Sequence, residues 1–216
     1  MIYDLRQHWE TIYTSKSESE LSWHTERLET SLSMILSACA GNRDCSIIDV
    51  GGGTSRLVDD LIAEGFSDIT LLDVSKSALA AVRKRLGAKS SLVKFVEADI
   101  LTTKLLEDRF DVWHDRAVFH FLTKPRERMA YIKNVKRALR PGGTVVIGTF
   151  GPSGPEKCSG RNVCRYGARA LNDVFGDKFQ LLEHHLETHV TPWGTPQEFI
   201  YCKCIFNPGK ELKSAA

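Results

Sequence analysis

Short apolar runs alternate with amphipathic stretches through the middle of the chain. Five apolar runs predict buried strands at 46–50, 69–73, 92–97, 111–114 and 144–150. Stretches with apolar residues at helical spacing lie between them and predict helices at 56–64, 76–87 and 125–139. The last of these helices should end sharply at Pro141-Gly142-Gly143. Strands that alternate with helices in this way are typical of a parallel sheet with helices on both faces.

The segments outside this central region follow other patterns. Apolar residues at helical spacing predict two helices, at 4–14 and 26–39, which a loop joins. After the fifth strand, residues 151–165 hold two prolines, three glycines and two cysteines, and we expect a lid or substrate loop over 151–170. The β-rich runs at 179–190 and 198–206 flank a loop with proline and glycine, which predicts an antiparallel hairpin.

These elements together predict an α/β fold. We expect a seven-stranded, mostly parallel, doubly wound sheet with a C-terminal antiparallel hairpin and an N-terminal helical cover. The 216 residues suffice for one domain with a sizeable core. The open edge of the hairpin leaves both a monomer and a homodimer as expectations.

Composition narrows the classes of partner. Hydrophobic residues make up 42% of the chain and charged residues 26%, as in globular proteins. The net charge is +2 and no basic stripe is present, so we expect no nucleic-acid partner. No apolar run reaches the ~20 residues of a membrane span, and the N-terminus has no signal-peptide core. We therefore expect a cytoplasmic protein without a membrane partner, whose six cysteines are free thiols.

The most informative motif is the glycine-rich turn Asp-Val-Gly-Gly-Gly-Thr-Ser at 49–55. It follows an apolar run and precedes a helical pattern, so a ligand can approach its backbone and the free N–H groups of the helix start. Asp73 ends the next strand, where a carboxylate can accept hydrogen bonds from both hydroxyls of a ribose. A nucleoside cofactor is therefore expected. Arg56 stands where a dinucleotide fingerprint has its third glycine, and the Gly-Lys-Ser/Thr of a phosphate loop is absent.

Four motifs then carry a resemblance to a known family. They are the turn at 49–55, Asp73, Glu-Ala-Asp-Ile at 97–100 and Leu-Arg-Pro-Gly-Gly at 139–143. In this order and at these intervals, residues 45–150 resemble the class I S-adenosylmethionine-dependent methyltransferases. Ser55 departs from the third glycine of many members. The resemblance implies S-adenosyl-L-methionine as cofactor and S-adenosyl-L-homocysteine as product. It also implies a single domain with an N-terminal helical cover at 1–40, a cofactor-binding core at 45–150, a lid or substrate loop at 151–170 and a terminal hairpin at 178–206.

The resemblance also implies how the cofactor is held. The glycine turn would lie against its methionine part, whose amino group Asp49 could orient. Asp73 would accept from the ribose hydroxyls, while Asp99 could accept from the adenine amino group and Ile100 could cover the ring. The alternative for Asp73 and Asp99 is a role as a local turn or cap acid. The complete cofactor-binding set is Asp49, Gly51, Gly52, Gly53, Asp73, Val74, Asp99, Ile100 and His114.

The loop after the fourth strand is where the resemblance implies catalytic contacts. Methyl transfer mainly requires that nucleophile, methyl carbon and sulfur stand in line, and a base is needed only if the acceptor must lose a proton. His114 or His120 could be that base, although a histidine among Phe119 and Phe121 is often a packed core residue. Arg116 could bind an anionic acceptor group or form an internal ion pair with Asp115 or Asp111. The candidate catalytic residues are His114, Asp115, Arg116 and His120.

We expect the residues that bind the methyl acceptor in the N-terminal cover, the loop after the fourth strand and the lid. The aromatic rings of Trp9, Tyr13 and Trp23 could stack on the acceptor or attract the sulfonium cation, or could simply form the apolar face of a docking helix. Cys158, in the lid, could bind a soft acceptor. No Cys-x-x-Cys pair exists, so we predict no metal site. The candidate substrate-binding residues are Trp9, Tyr13, Trp23, Arg116 and Cys158.

The leading functional hypothesis is methyl transfer to a small-molecule acceptor, because the compact N-terminal cover, the expected lid and the absence of a recognition domain favour a small acceptor. Two alternatives stay open. Residues 8–13 and 21–23 look like the start of some lysine methyltransferases, which suggests methylation of a protein lysine or N-terminus. The motif at 114–117 does not match those enzymes. The other alternative is a partner protein that binds the cofactor without catalysis.

Overall fold

The structure is a computed structural model that describes residues 5–209 of the chain. Its α-helices are α1 (Leu5–Ser15), α2 (Glu29–Cys39), α3 (Leu57–Ala63), α4 (Lys76–Leu86), α5 (Pro125–Ala138) and α6 (Ala168–Phe175). Its strands are β1 (Ile47–Val50), β2 (Ile69–Asp73), β3 (Val93–Glu97), β4 (Phe110–Arg116), β5 (Leu139–Phe150), β6 (Lys157–Cys158), β7 (Arg161–Asn162), β8 (Phe179–Val190) and β9 (Pro196–Phe206).

Seven strands form one sheet in the order β3-β2-β1-β4-β5-β9-β8. β1 to β5 are parallel, and β9 pairs antiparallel with both β5 and β8. The predicted fold class is therefore confirmed. The strand order reverses between β1 and β4, and in open α/β sheets a ligand binds outside the carboxyl ends of the strands at such a point.

Buried apolar side chains cover both faces of the sheet. Because successive strand residues point to opposite faces, Ile47 packs into one core cluster and Ile48 into the other. The first cluster contains the buried apolar residues of α2 and α3, and the second contains those of α5 and α6. Both faces of the central strands are thus buried, as expected for a parallel sheet.

Two local predictions need correction. The segment 151–170 is not wholly irregular, since β6 and β7 form a small antiparallel hairpin and α6 begins at Ala168. Helix α5 ends at Ala138, before the Pro-Gly-Gly run, and that run lies inside β5. The register between β4 and β5 jumps there, from Phe110 opposite Leu139 to Val112 opposite Thr144. This irregularity accommodates Pro141, which has no N–H to donate to a strand ladder.

Two further expectations concern cysteines and membranes. All six cysteines are free thiols in the structure. Within residues 5–209, no helix combines the length and apolar character that crossing a bilayer would require.

Candidate active site

A cavity lies at the carboxyl ends of β1, β2 and β4, below helix α1. Most residues expected at the site line this cavity, although they come from seven separate parts of the chain. They are Trp9, Tyr13, Trp23, Asp49, Gly51, Gly52, Asp73, Val74, Asp99, Ile100, His114, Arg116 and Cys158. Three expected site residues, Gly53, Asp115 and His120, are not among its lining residues in the described chain.

The glycine turn has a backbone that few other residues could adopt. Gly51 and Gly53 both have positive φ, +65° and +55°, a region that side chains with a Cβ disfavour. A Cβ added at Gly51 would collide with the side chain of Val118, and one at Gly53 with the hydroxyl group of Tyr13. The turn is therefore tight against the protein's own atoms, and Tyr13 lies directly over it.

Asp73 ends β2 and is 4% exposed. Its two carboxylate oxygens accept hydrogen bonds from the backbone N–H groups of Gly53 at 2.9 Å and Ser75 at 2.8 Å. Burial is the largest cause that raises the pKa of the Asp73 carboxyl to about 6, and the nearby Asp49 contributes to this rise. Ser75 itself caps α4 by accepting from the Ala78 N–H. The cap role thus belongs to Ser75, and Asp73 joins the glycine turn to the end of β2.

Asp49 and His114 lie opposite each other on the adjacent parallel strands β1 and β4. The Asp49 Oδ1 atom is 2.7 Å from His114 Nδ1, and His114 Nε2 is 2.9 Å from the Ser31 hydroxyl oxygen. All three side chains are almost fully buried. The other carboxylate oxygen, Asp49 Oδ2, is buried and has no hydrogen-bond partner. A buried carboxylate oxygen without a donor is costly, so this atom is a ready acceptor for a ligand N–H.

The loop after β3 contributes the far end of the cavity. Asp99 Oδ1 accepts from the backbone N–H of Leu101 at 2.8 Å, which closes a local turn. Ile100 is 6% exposed and belongs to the core cluster that contains Val50. An apolar surface therefore lies next to a carboxylate, a combination that suits a flat ring with an amino group.

Arg116 is the last residue of β4 and is held on three sides. Its Nε donates to the hydroxyl of Tyr201 at 2.8 Å, and its Nη1 donates to the carbonyl oxygen of Trp23 at 3.1 Å. The guanidinium carbon lies 4.4 Å from the centre of the Phe199 ring. The ion pair with Asp111 or Asp115 that was the alternative interpretation does not form, because Asp111 binds Arg140 and Asp115 points to the other face of the sheet.

Asp115 and His120 need correction as candidate catalytic residues, since neither reaches the cavity. The Asp115 carboxylate accepts from the backbone N–H of Val118 at 2.9 Å and from the hydroxyl of Tyr131 at 2.5 Å. Burial raises the pKa of Asp115 to about 6. The ring of His120 packs between Phe121 and Phe150, and burial lowers its pKa to about 3. Asp115 thus braces the loop after β4, and His120 is a neutral core residue.

The cover formed by α1 is attached to the sheet by side-chain contacts. The Glu10 carboxylate accepts from the hydroxyl groups of Ser75 at 2.7 Å and of Ser77, at the start of α4. These bonds lower the pKa of Glu10. Arg6 binds Glu97, at the end of β3, at 2.8 Å. Helix α1 is therefore fixed across the ends of β2 and β3.

Aromatic rings form the inner surface of this cover. The Trp9 ring meets Trp23 and Phe121 edge to face, with ring centres 5.8 Å and 5.1 Å apart. Tyr13 lies 6.3 Å from Trp23. All four rings line the cavity, so they are not only the contact face of a docked helix.

Cys158 reaches the cavity from the small hairpin formed by β6 and β7. It is 6% exposed, and burial raises the pKa of its thiol. In the part of the chain that the structure describes, no three His, Cys, Asp or Glu side chains come together as a metal-binding group. Cys158 is thus a protonated thiol at the cavity wall.

Several residues of the site could not be recognised from sequence motifs. Ser31 and Tyr201 orient His114 and Arg116, but they lie 83 and 85 residues away along the chain. Glu10 and His24 come from the cover, and His24 lines the cavity. For Glu10, the only sequence signal is its position within the helix predicted at 4–14.

Comparisons with known proteins find methyltransferases. A family model described as a methyltransferase domain matches residues 47–143. The malonyl-[acyl-carrier protein] O-methyltransferase of Paenibacillus sp. (strain JDR-2) is 31% identical over 111 residues, which cover 50% of this chain and 39% of that protein. The human EEF1A lysine methyltransferase 2 is 24% identical over 197 residues, covering 82% of this chain and 75% of that protein.

A third relative is the Drosophila melanogaster homologue of the eEF1A lysine and N-terminal methyltransferase. It is 28% identical over 146 residues, 64% of this chain but 21% of that protein. The chain therefore spans well under half of the length of the Paenibacillus and Drosophila relatives.

Solved structures share the fold. One of them is described as concerning the conversion of a disulfide bond into a thioacetal group during echinomycin biosynthesis. It has a TM-score of 0.72 at 20% identity, and the match covers 95% of this chain and 94% of that chain. The N-methyltransferase NodS of Bradyrhizobium japonicum WM9, in complex with S-adenosyl-L-homocysteine, has a TM-score of 0.70 at 17% identity. The match covers 93% of this chain and 99% of that chain. Residues 47–143 therefore match the methyltransferase-domain family, and the chain shares the fold of these solved structures.

Proposed function

We propose that this protein transfers a methyl group from S-adenosyl-L-methionine to a small-molecule acceptor. The observation that carries the proposal is the orphaned Oδ2 atom of Asp49, buried at the cavity wall. It needs a hydrogen-bond donor, and the ammonium group of an amino acid supplies one together with the opposite charge. Asp73 lies in the same cavity, as the next acid along the sheet.

The residues present fit this cofactor. Asp49 would hold the ammonium group beside Gly51 and Gly52, and its Oδ2 atom packs where a Cβ of residue 52 would otherwise lie. Asp73 would accept from the ribose hydroxyls, for which its carboxylate has lone pairs beyond the two that the backbone N–H groups use. Ile100 and Asp99 would contact the adenine ring and its amino group. This is the arrangement expected from the motifs, with Gly53 acting through its N–H to Asp73.

When bound, the cofactor supplies a methyl carbon activated by a positively charged sulfur. The chain's own contribution is position and exclusion of water. The rings of Trp9, Trp23 and Phe121 cover the cavity and present faces that attract a cation. His114 keeps Asp49 in one orientation through its Nδ1 atom. Because both ring nitrogens of His114 are engaged, we assign it a positioning role and not that of a base.

A small acceptor is favoured by the way the cavity is closed. Helix α1, the segment at 21–25 and Cys158 all contribute to its walls, and the bonds of Glu10 hold the helix across the sheet. An acceptor must therefore fit beneath this cover. The relative from Paenibacillus is named for a malonyl-[acyl-carrier protein] acceptor.

A second candidate function is methylation of a protein lysine. It is favoured by the EEF1A lysine methyltransferase 2 of human, which aligns over 82% of this chain. A lysine side chain would have to enter beside the aromatic rings of the cover, where its ammonium group could be held by cation–π contacts.

One experiment separates the two functions. The purified chain is incubated with methyl-tritiated cofactor and an extract of its source organism that has been divided by ultrafiltration into small molecules and proteins. We expect label in the small-molecule fraction, and much less with the Asp73→Asn variant. Label that enters only protein would contradict the small-molecule proposal and support the lysine alternative.

A further inference from the structure

We propose that Arg116 binds a carboxylate group of the methyl acceptor, so that the acceptor is a small carboxylic acid with a flat apolar body. The proposal rests on the proposed function and specifies its substrate class. Arg116 lines the cavity together with Trp9, Trp23 and Phe121.

The geometry leaves one part of the guanidinium free. Nε and Nη1 donate to Tyr201 and to the Trp23 carbonyl, and the Phe199 ring covers one face. The third nitrogen, Nη2, is buried and has no hydrogen-bond partner. The side chain is thus rigidly held with an unused pair of N–H donors, which is what a preorganised binding group requires.

The charge of Arg116 is also unmatched. Among residues 5–209, no carboxylate lies within 4.0 Å of its guanidinium. Glu187 approaches only indirectly, through a 3.4 Å contact with the Tyr201 hydroxyl. The other arginine of the cavity, Arg56, differs because Glu18 and Glu26 lie 4.0 Å and 3.5 Å from it. A largely buried cation without a counter-ion is unfavourable, and an anionic ligand would relieve that cost.

A carboxylate fits this position better than a phosphate. One free nitrogen and one positive charge match a single carboxylate, whereas a dianionic phosphate brings three oxygens and a second charge. The same cavity contains the acids Asp49, Asp73 and Asp99, which would repel the extra charge. The remaining surface near Arg116 is aromatic, so the body of the acceptor should be flat and apolar.

The test uses 4-fluorobenzoate and its neutral counterpart 4-fluorobenzamide. Binding of each probe to the whole chain saturated with S-adenosyl-L-homocysteine is followed by fluorine NMR titration. For the wild type we expect benzoate to bind at least about tenfold more tightly than the amide, because a charge-assisted hydrogen bond is lost in the amide. In Arg116→Gln this preference should disappear, while the affinity for S-adenosyl-L-homocysteine changes less than about threefold.

Two further variants keep the test decisive. Arg56→Gln removes an arginine from the same cavity that already has acidic partners, and it should keep the preference for benzoate. Arg116→Lys keeps the charge and should retain part of the preference if Arg116→Gln does not fold.

Three results would overturn the proposal. The first is equal binding of the two probes, or no binding of benzoate, in the wild type. The second is a preference that survives in Arg116→Gln. The third is a loss of more than about tenfold in S-adenosyl-L-homocysteine affinity in that variant, which would assign Arg116 to the carboxylate of the cofactor itself. If the wild type does not bind S-adenosyl-L-homocysteine at all, the proposed function fails and this proposal fails with it.

Discussion

Replacing Asp73 by Asn tests the cofactor site while it keeps the size of the side chain. The charge disappears, and one of the two carboxylate oxygens becomes an NH₂ group. If Asp73 binds the ribose hydroxyls, one hydrogen bond is lost and the other is weakened. Hydrogen bonds to a charged group are each worth about 1.5–3 kcal/mol, so we expect a loss of about 3 kcal/mol, or roughly 100-fold in affinity for S-adenosyl-L-homocysteine.

The stability of the unbound protein should change much less. Asn cannot accept from both the Gly53 and the Ser75 N–H groups, and the lost bond costs about 1–3 kcal/mol. In compensation, the variant no longer buries a charge. The rise of the Asp73 pKa from 3.8 to about 6 corresponds to about 3 kcal/mol in favour of a neutral side chain at neutral pH. These two effects nearly cancel, so the melting temperature should stay within a few degrees of the wild-type value.

The pH dependence of binding provides an independent check on the same residue. The ribose contact needs the ionised carboxylate, and burial raises the pKa of Asp73 to about 6. Affinity of the wild type should therefore fall about tenfold between pH 7.5 and pH 5. The Asn variant has no such group and should show a much smaller slope. Titration of other groups affects both proteins and cancels in the comparison.

Asp68→Asn is the matched control, because Asp68 precedes the amino end of the same strand. Its carboxylate binds Arg109 at 2.6 Å, and this contact lowers its pKa. The control should lose stability and keep its affinity. Calorimetric titration and thermal unfolding of all three proteins measure both quantities. A folded Asp73→Asn protein with unchanged affinity would refute the assignment of Asp73 to the ribose.

Three further predictions concern the turn, the cover and the core. Gly53→Ala puts a Cβ at positive φ against the Tyr13 hydroxyl, so we expect a melting temperature lower by several degrees and weaker cofactor binding. Glu10→Gln weakens the bonds that hold α1 to α4, and hydrogen exchange within residues 5–15 should become faster; an unchanged rate would mean that the Glu10 contacts do not hold the cover. His120→Phe should keep methyl transfer. Burial lowers the pKa of His120 to about 3, so the free energy of unfolding of the wild type should decrease by up to about 1.4 kcal/mol per pH unit as the pH falls below 6.5. The variant has no imidazole at this position and should not show this decrease. Transfer abolished in a folded His120→Phe protein would restore the histidine as a catalytic candidate.

Features with a local sequence signal could be predicted. The turn at 49–55, the acids at the strand ends and the alternation of strands with helices all depend on neighbouring residues, and the sheet has the expected seven strands with a C-terminal antiparallel pair. The alternation of side chains along β4 also indicates which of its residues face the cavity. His114 and Arg116 point to one face of the sheet and line the cavity, and Asp115 between them points to the other face.

Features that depend on tertiary contacts could not be predicted. His120 lies in a short 3₁₀ turn, Phe119–Phe121, where successive side chains point in directions about a third of a turn apart. This rotation directs Phe121 to the cavity and His120 into the core. The bonds of Arg116 to Tyr201 and of His114 to Ser31 join distant parts of the chain and leave no periodic pattern. The short helix α6 escaped detection because only eight residues carry its amphipathic pattern.

The central claim is that the cavity at the ends of β1, β2 and β4 binds S-adenosyl-L-methionine. Isothermal titration calorimetry of the full chain with S-adenosyl-L-methionine and S-adenosyl-L-homocysteine, and with NAD as the control nucleotide, tests it most directly. The account predicts micromolar binding of the first two at one site per chain and no measurable binding of NAD. A folded protein that binds neither sulfur compound, or that binds NAD more tightly, would contradict it.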